Sequence, residues 1–229
     1  MDCIQSTLTK EAVMARLVRL SMKDRLVQEL RKKILTGKLE PKSRVIEQEI
    51  CETYGVSRTV VREALVVLEL QGLLVATPYT GTVVASISRR EVEGLLLPLR
   101  VQTEQFALGE AFDTLDSDYF DEAENLVRLM DRAVLDRDID AFNEADIAFH
   151  GLIVDAAQSD TVRSVWDAID PRIRMHFALQ TGRSGALPTF VEDHRELLRV
   201  FRTGNKEESL KALGRHIIET NKPYLDYLN

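Results

Sequence analysis

The chain holds four histidines, His150, His176, His194 and His216, and all of them fall in its second half. Each sits on a different expected helix. Asp146 precedes His150 by four residues, so on a helix the two side chains project from one face. Asp193 adjoins His194, and Arg215 adjoins His216. Imidazoles and a carboxylate converging from several helices suit a divalent transition metal: zinc first, with nickel, iron or manganese as alternatives. Helical bundles build such sites in their cores. The same residues also fit a plainer arrangement, in which each histidine is a surface residue or a satisfied core residue.

A second chemistry lies earlier in the chain. Residues 55–65 read Gly-Val-Ser-Arg-Thr-Val-Val-Arg-Glu-Ala-Leu. Gly55 breaks one helix and Ser57 caps the next. Arg58 and Arg62, four apart, then share a face. A guanidinium on such a helix donates paired hydrogen bonds to guanine or to phosphate. The alternative is a solvated face whose charges only support the helix. Glu63 reads as a residue that orients an arginine, and Ala64, Leu65, Leu68 and Leu73 as core.

The elements that must position these groups follow from apolar spacing and caps. Ser21 can cap a helix over 21–36, with Leu26, Leu30 and Ile34 as its buried stripe and Gly37 as its stop. A short helix over 46–54 places Ile46, Ile50 and Tyr54 on one side, and a third runs over 58–71 to Gly72. Two β-rich runs over 73–85 flank a Pro/Gly turn and predict a hairpin. A helix-turn-helix followed by a hairpin is a winged helix. Ser86-Ile87-Ser88 reads as a linker. Beyond it the pattern is helical throughout, over about 88–112, 116–136, 138–157, 160–180, 187–203 and 205–227, with Asp116 and Ser159/Asp160 as caps and Gly182, Gly185 and Gly204 in breaks. The expected architecture is mainly α: an extension over 1–20, a winged helix-turn-helix over 21–86 and an all-α bundle over 87–229.

Composition agrees with two jobs. The net charge is −7 over 229 residues. Residues 1–88 hold 13 Lys+Arg against 10 Asp+Glu, and the rest hold 17 against 27, so the head is mildly basic and the body acidic. No stretch approaches the roughly 20 apolar residues of a membrane span. The N-terminus lacks the apolar segment of a signal peptide. Cys3 and Cys51 are too few for a disulfide framework, and Cys51 reads as a small buried hydrophobe. These features point to a cytoplasmic protein.

Together these segments resemble the GntR family of bacterial transcription regulators, in the FadR-type branch with an FCD effector domain. Residues 34–41, Ile-Leu-Thr-Gly-Lys-Leu-Glu-Pro, are similar to its I-x-x-G-x-L-x-P segment. Residues 55–65 are similar to its recognition helix, and Leu68-Glu69-x-x-Gly72-Leu73 to the helix exit. Val60 stands where Pro or Thr is usual, and Lys42 where Gly normally follows Pro41. In the body, Leu99-Arg100-x-x-x-Glu104 resembles the first-helix signature, Asp146-x-x-Phe149-His150 the D-x-x-F-H motif, Asp193-His194 the E-H pair, and His216 the histidine of the terminal helix.

The resemblance implies a homodimer reading a palindromic operator. It places Ser57, Arg58, Thr59 and Arg62 on the DNA, with the wing near Gly81 in the adjoining groove. It makes Asp146, His150, His194 and His216 the metal ligands, with a small organic acid completing the metal's coordination. Arg100 would anchor that acid, its alternative being a surface ion pair with Glu104. His176, with Arg172 and Arg174 nearby, would line the same pocket. Three rival readings remain: a metalloenzyme using the Asp/His set, a regulator sensing the metal itself, and a purely structural metal.

Overall fold

A computed structural model describes residues 21–77, 81–181 and 187–222, together with Leu225 and Leu228. The expected extension over 1–20, with Cys3, lies outside the described residues, as do the turn at 78–80, the breaks at Gly182 and Gly185, and most of 223–229.

The head begins with α1, Met22–Leu35, capped by Ser21, whose Oγ accepts from the Asp24 N–H. Its stripe of Leu26, Leu30 and Ile34 is buried as the spacing predicts. Helices α2, Glu47–Tyr54, and α3, Arg58–Leu70, are joined by a tight turn in which Gly55 takes φ +63°, a left-handed conformation that costs glycine least. Ile50 is buried, but Ile46 stands outside α2 as its N-cap residue and is exposed, so the apolar side of this short helix is narrower than expected. Helix α3 buries Val61, Ala64, Leu65 and Leu68 against α1.

The wing is a three-stranded sheet rather than a simple hairpin. Strands β2, Leu74–Thr77, and β3, Gly81–Val84, pair antiparallel, and β1, Arg44–Val45, adds to the far edge of β3. The order is β1-β3-β2. Backbone bonds from Lys42 N–H to Val84 O and from Val84 N–H to Ser43 O extend the β1 pairing.

The body opens with a continuous helical run. Arg89–Glu91 is α-helical, Val92–Leu96 is π-helical, and α4 continues over Leu97–Ala111. There follow α5, Ser117–Asp136, α6, Ile139–Ala156, α7, Asp160–Thr181, α8, Leu187–Arg202, and α9, Lys206–Glu219. Asp116, Asp138 and Asn205 cap α5, α6 and α9 through their side chains. Helix α9 stops at Glu219 instead of running on to 227; Pro223 follows and cannot continue it. Helix α6 is enclosed by α4, α5 and α7. It buries Phe142, Ala145, Ile147, Phe149, Ile153 and Val154, and with them Asp146 and His150. Among the described residues no helix is long and apolar enough to cross a membrane.

Head and body meet where α1 packs on α7 and at one guanidinium. Arg172, on α7, donates to the backbone oxygens of Gly72 (2.7 Å) and Ser86 (3.0 Å) and makes a bidentate pair with Glu91 at 2.5 and 2.6 Å. Gly72 is doubly constrained here: its φ is +67°, and a Cβ would lie 3.0 Å from Arg172 Cδ.

Candidate functional site

Three histidine side chains from three helices converge in the body. One ring nitrogen each from His150 (α6), His194 (α8) and His216 (α9) lies within 4.8 Å of the others. The rings of His194 and His216 meet edge to face at 4.5 Å, and those of His150 and His216 stack at 5.4 Å. Asp146, one turn before His150 on α6, joins them through His194: Oδ1 lies 3.2 Å from Nε2.

The hydrogen bonds around the rings fix their orientation. His150 Nδ1 lies 2.5 Å from Glu104 Oε2, and His194 Nδ1 lies 2.7 Å from the Phe190 carbonyl oxygen. A carboxylate and a carbonyl can only accept, so each Nδ1 carries a proton, and in the neutral ring each Nε2 presents a lone pair. That places His194 Nε2 against Asp146 Oδ1 as two acceptors. They are close, yet they form no hydrogen bond, and Asp146 Oδ2 and His216 Nδ1 are also buried with no hydrogen-bond partner among the described residues. Two facing acceptors are a gap that a cation fills. Ligand atoms about 2.0–2.2 Å from zinc sit about 2.9–3.4 Å from each other at right-angled to tetrahedral geometry. The Asp146–His194 separation already lies in that range. The donor set therefore fits a divalent transition metal.

Electrostatics point the same way. Burial works to raise the Asp146 carboxyl, but His194, then His150 and Arg100, outweigh it and hold Asp146 below its usual value. Burial lowers His150 despite Glu104, and burial followed by His194, His150 and Arg100 pushes His216 well below its ordinary value. A metal would take these groups with the carboxylate ionised and the imidazoles neutral, so its binding would displace the protons through which the histidines otherwise hold Asp146 ionised.

A cavity of about 20 Å³, room for about one water, opens on this cluster. Arg100, Phe142, Phe177, Phe190, Thr220 and Asn221 form its other walls. Arg100 thus faces the cavity, but its pair with Glu104 (3.0 Å) is not a surface bridge: the two side chains are 2 % and 0 % exposed. Glu104 uses its other oxygen on His150. From sequence, Glu104 reads only as a surface partner for Arg100, with nothing to connect it to His150. Its one signal was the i, i+4 spacing to Arg100, which also describes an ordinary surface pair. His176 is buried but is not on the cavity wall; its Nε2 meets Asn221 Oδ1 at 2.8 Å. Neither arginine expected beside it turns inward. Arg172 holds the head, and Arg174 pairs with Asp170 and Glu144. Cys51 is half-buried rather than buried.

In the head, Ser57 caps α3, its Oγ accepting from the Val60 N–H at 3.4 Å. Arg58, Thr59 and Arg62 are exposed on α3, and Gly81, exposed with φ +91°, begins β3. The carboxylate that meets Arg62 is Glu47 of α2, at 2.9 Å, not Glu63, and Arg58 donates to Gln48 Oε1 at 3.0 Å.

A winged helix-turn-helix carried on an all-helical body with a buried ligand cluster is the build of a ligand-responsive DNA-binding regulator. The model of bacterial regulatory proteins of the gntR family matches residues 22–84, and that of the FCD domain matches residues 96–219. The chain belongs to the GntR family of bacterial regulatory proteins and carries an FCD domain. It is 25% identical over 192 residues to the uncharacterized HTH-type transcriptional regulator YdhC of Bacillus subtilis, covering 82% of this chain and 84% of that one. It is likewise 25% identical over 199 residues to the gluconate operon transcriptional repressor of Bacillus licheniformis, covering 82% and 79%. Its fold is similar to that of a transcriptional regulator GntR from Rhodococcus sp. RHA1, with TM-score 0.78, 22% identity, and 92% and 100% of the two chains covered. The family is one of bacterial regulatory proteins and these relatives are named as transcriptional regulators, so the chain is a transcription regulator and the metalloenzyme reading falls.

Proposed function

We propose that this regulator is a cytoplasmic repressor that binds a palindromic operator as a homodimer and is switched by a small organic acid bound at a metal, with zinc the first choice. Asp146, His150, His194 and His216 would hold the ion. The ion would supply a positive centre for the acid's carboxylate, with further coordination positions to receive it. The observation that carries this reading is the pair of facing acceptors, Asp146 Oδ1 and His194 Nε2, at 3.2 Å without a hydrogen bond. Arg100, on the cavity wall, would pair the acid's other end. His176 would act from behind that wall, through Asn221. The relative named for a gluconate operon makes sugar acids the first candidates.

The cavity's size gives the switch a physical basis. Room for about one water does not admit an acid of several carbons. The acid would then bind a second arrangement in which the aromatic walls at Phe142, Phe177 and Phe190 part. A ligand that binds one of two arrangements shifts their populations by its differential affinity.

On DNA, Arg58, Thr59 and Arg62 would read the major groove, Ser57 would hold the helix start, and the wing from Gly81 would reach the neighbouring groove. One winged helix spans few base pairs, which favours a dimer on two half-sites. The exposed Leu95 and Phe106, on one helical run of the body, support pairing through that face.

Mass spectrometry of the native protein should find one divalent metal per chain. Gel shifts at fixed salt, with metal loaded, should then show operator affinity changing as sugar acids are titrated. A metal-loaded protein whose operator affinity no small carboxylate alters would end the sensing reading.

A further inference from the structure

Glu104 lies on α4 with its side chain fully buried, and both of its oxygens are committed. Oε2 takes the His150 Nδ1 proton at 2.5 Å, and Oε1 takes the Arg100 Nε proton at 3.0 Å. A carboxylate so placed is costly unless every lone pair has a use. Here each oxygen faces an N–H donor, so both are satisfied as acceptors. Arg100 in turn is fixed on its far side by the Phe177 ring, 5.3 Å from the guanidinium carbon.

We propose that Glu104 is a positioning residue of the metal site, acting through His150 and anchored by its hydrogen bond from Arg100. This rests on the metal reading above and adds a residue to it. His150 comes from α6 and has no backbone carbonyl holding its Nδ1, unlike His194, whose Nδ1 is held by Phe190 one turn earlier on its own helix. Without Glu104, the imidazole is free to exchange tautomers and to rotate. With it, the Nε2 lone pair is aimed at His194 and His216 before any ion arrives. A full negative charge on Nδ1–H also makes Nε2 a stronger donor to a metal. Because the same carboxylate grips Arg100, the cation on the cavity wall and the ligand at its floor move as one unit.

The amide of Glu104→Gln has one acceptor oxygen, so it can serve His150 or Arg100 but not both. Glu104→Asp keeps the charge but draws it back by one methylene. Metal-stripped full-length protein would be titrated with Zn²⁺ against a chromogenic chelator and with Co²⁺ as a spectroscopic probe, while ¹⁵N spectra of the histidines read the tautomer without metal. In the unaltered protein, His150 should be locked as the Nδ1–H form. Glu104→Gln should release that lock, bind Zn²⁺ roughly 10- to 100-fold more weakly and shift the Co²⁺ bands. Glu104→Asp should fall between, and it gives the answer if the amide variant does not fold. Unchanged affinity, Co²⁺ bands and tautomer in the folded variants would overturn the proposal. Failure of the unaltered protein to bind any ion is a separate result, which would remove the metal reading itself.

Discussion

His176 is buried on α7 with Nε2–H donating to Asn221 Oδ1 and Nδ1 unpartnered among the described residues. Burial, only partly opposed by Asn221, lowers its pKa from 6.5 to about 4. The unfolded chain then takes up the proton more readily than the folded one. His176 therefore contributes fully to stability above pH 6.5, and that contribution is lost as pH falls towards 4, on the order of 3 kcal/mol in all. Urea unfolding at several pH values should show stability falling across this window, and His176→Gln should flatten part of the fall. An equally steep fall in the variant would mean that other groups set the acid response. At this scale the sequence was legible where residue type dictates role. The spacing puts Asp146 and His150 on one helix face, and the family resemblance adds His194 and His216 to them. The buried pairing of Glu104 with Arg100 and His150 was not legible, because helical periodicity assigns an i, i+4 charge pair to the solvent. Only the packing of α4 against α6 and α9 takes this one inside.

Among the elements, the turn from α1 into β1 carries a strain that the sequence already hints at. Lys42 has φ +67°, and its N–H is tied to Val84 O, so the conformation is built into the edge of the sheet. A left-handed residue with a Cβ costs about 1–2 kcal/mol, and glycine gives back part of that in chain entropy. The glycine usual after Pro41 in similar chains has this physical reason. Lys42→Gly should stabilise the protein by about 0.5–1 kcal/mol in thermal or urea unfolding; a destabilised variant would show that the lysine side chain makes contacts worth more than the strain. Helices were legible here because caps and stripes are side-chain signals: Ser21, Ser57 and Asp116 all cap as their positions suggest. Strand β1 was not, since two residues held by backbone bonds leave no side-chain pattern. Nor was the π-helical stretch Val92–Leu96, whose residues would suit an α-helix as well.

At the level of the whole molecule, Arg172 is a tie between head and body, beside the packing of α1 on α7. Its guanidinium reaches the exit of the recognition helix at Gly72, the exit of the wing at Ser86, and Glu91 at the start of the body's first helical run. The same helix α7 carries Phe177 to the cavity wall, so displacement there has a rigid path to the head. Arg172→Met should leave both folds intact but loosen their docking. Hydrogen exchange should rise across residues 85–96, and the operator response to ligand should shrink. Protection equal to the unaltered protein's would show that apolar packing alone holds the head.

Two of the groups Arg172 grips in the head are backbone carbonyls, and the one head position it crowds is a glycine. At Arg172 the joint therefore reads the path of the chain, and the side chains it does read lie where α1 packs on α7. The surface that meets DNA can be rewritten residue by residue without disturbing the seat on the body. A foreign winged helix with the same backbone course and a glycine at that point should plug into this body as a working chimera. The arrangement lets operator choice and effector choice diverge independently.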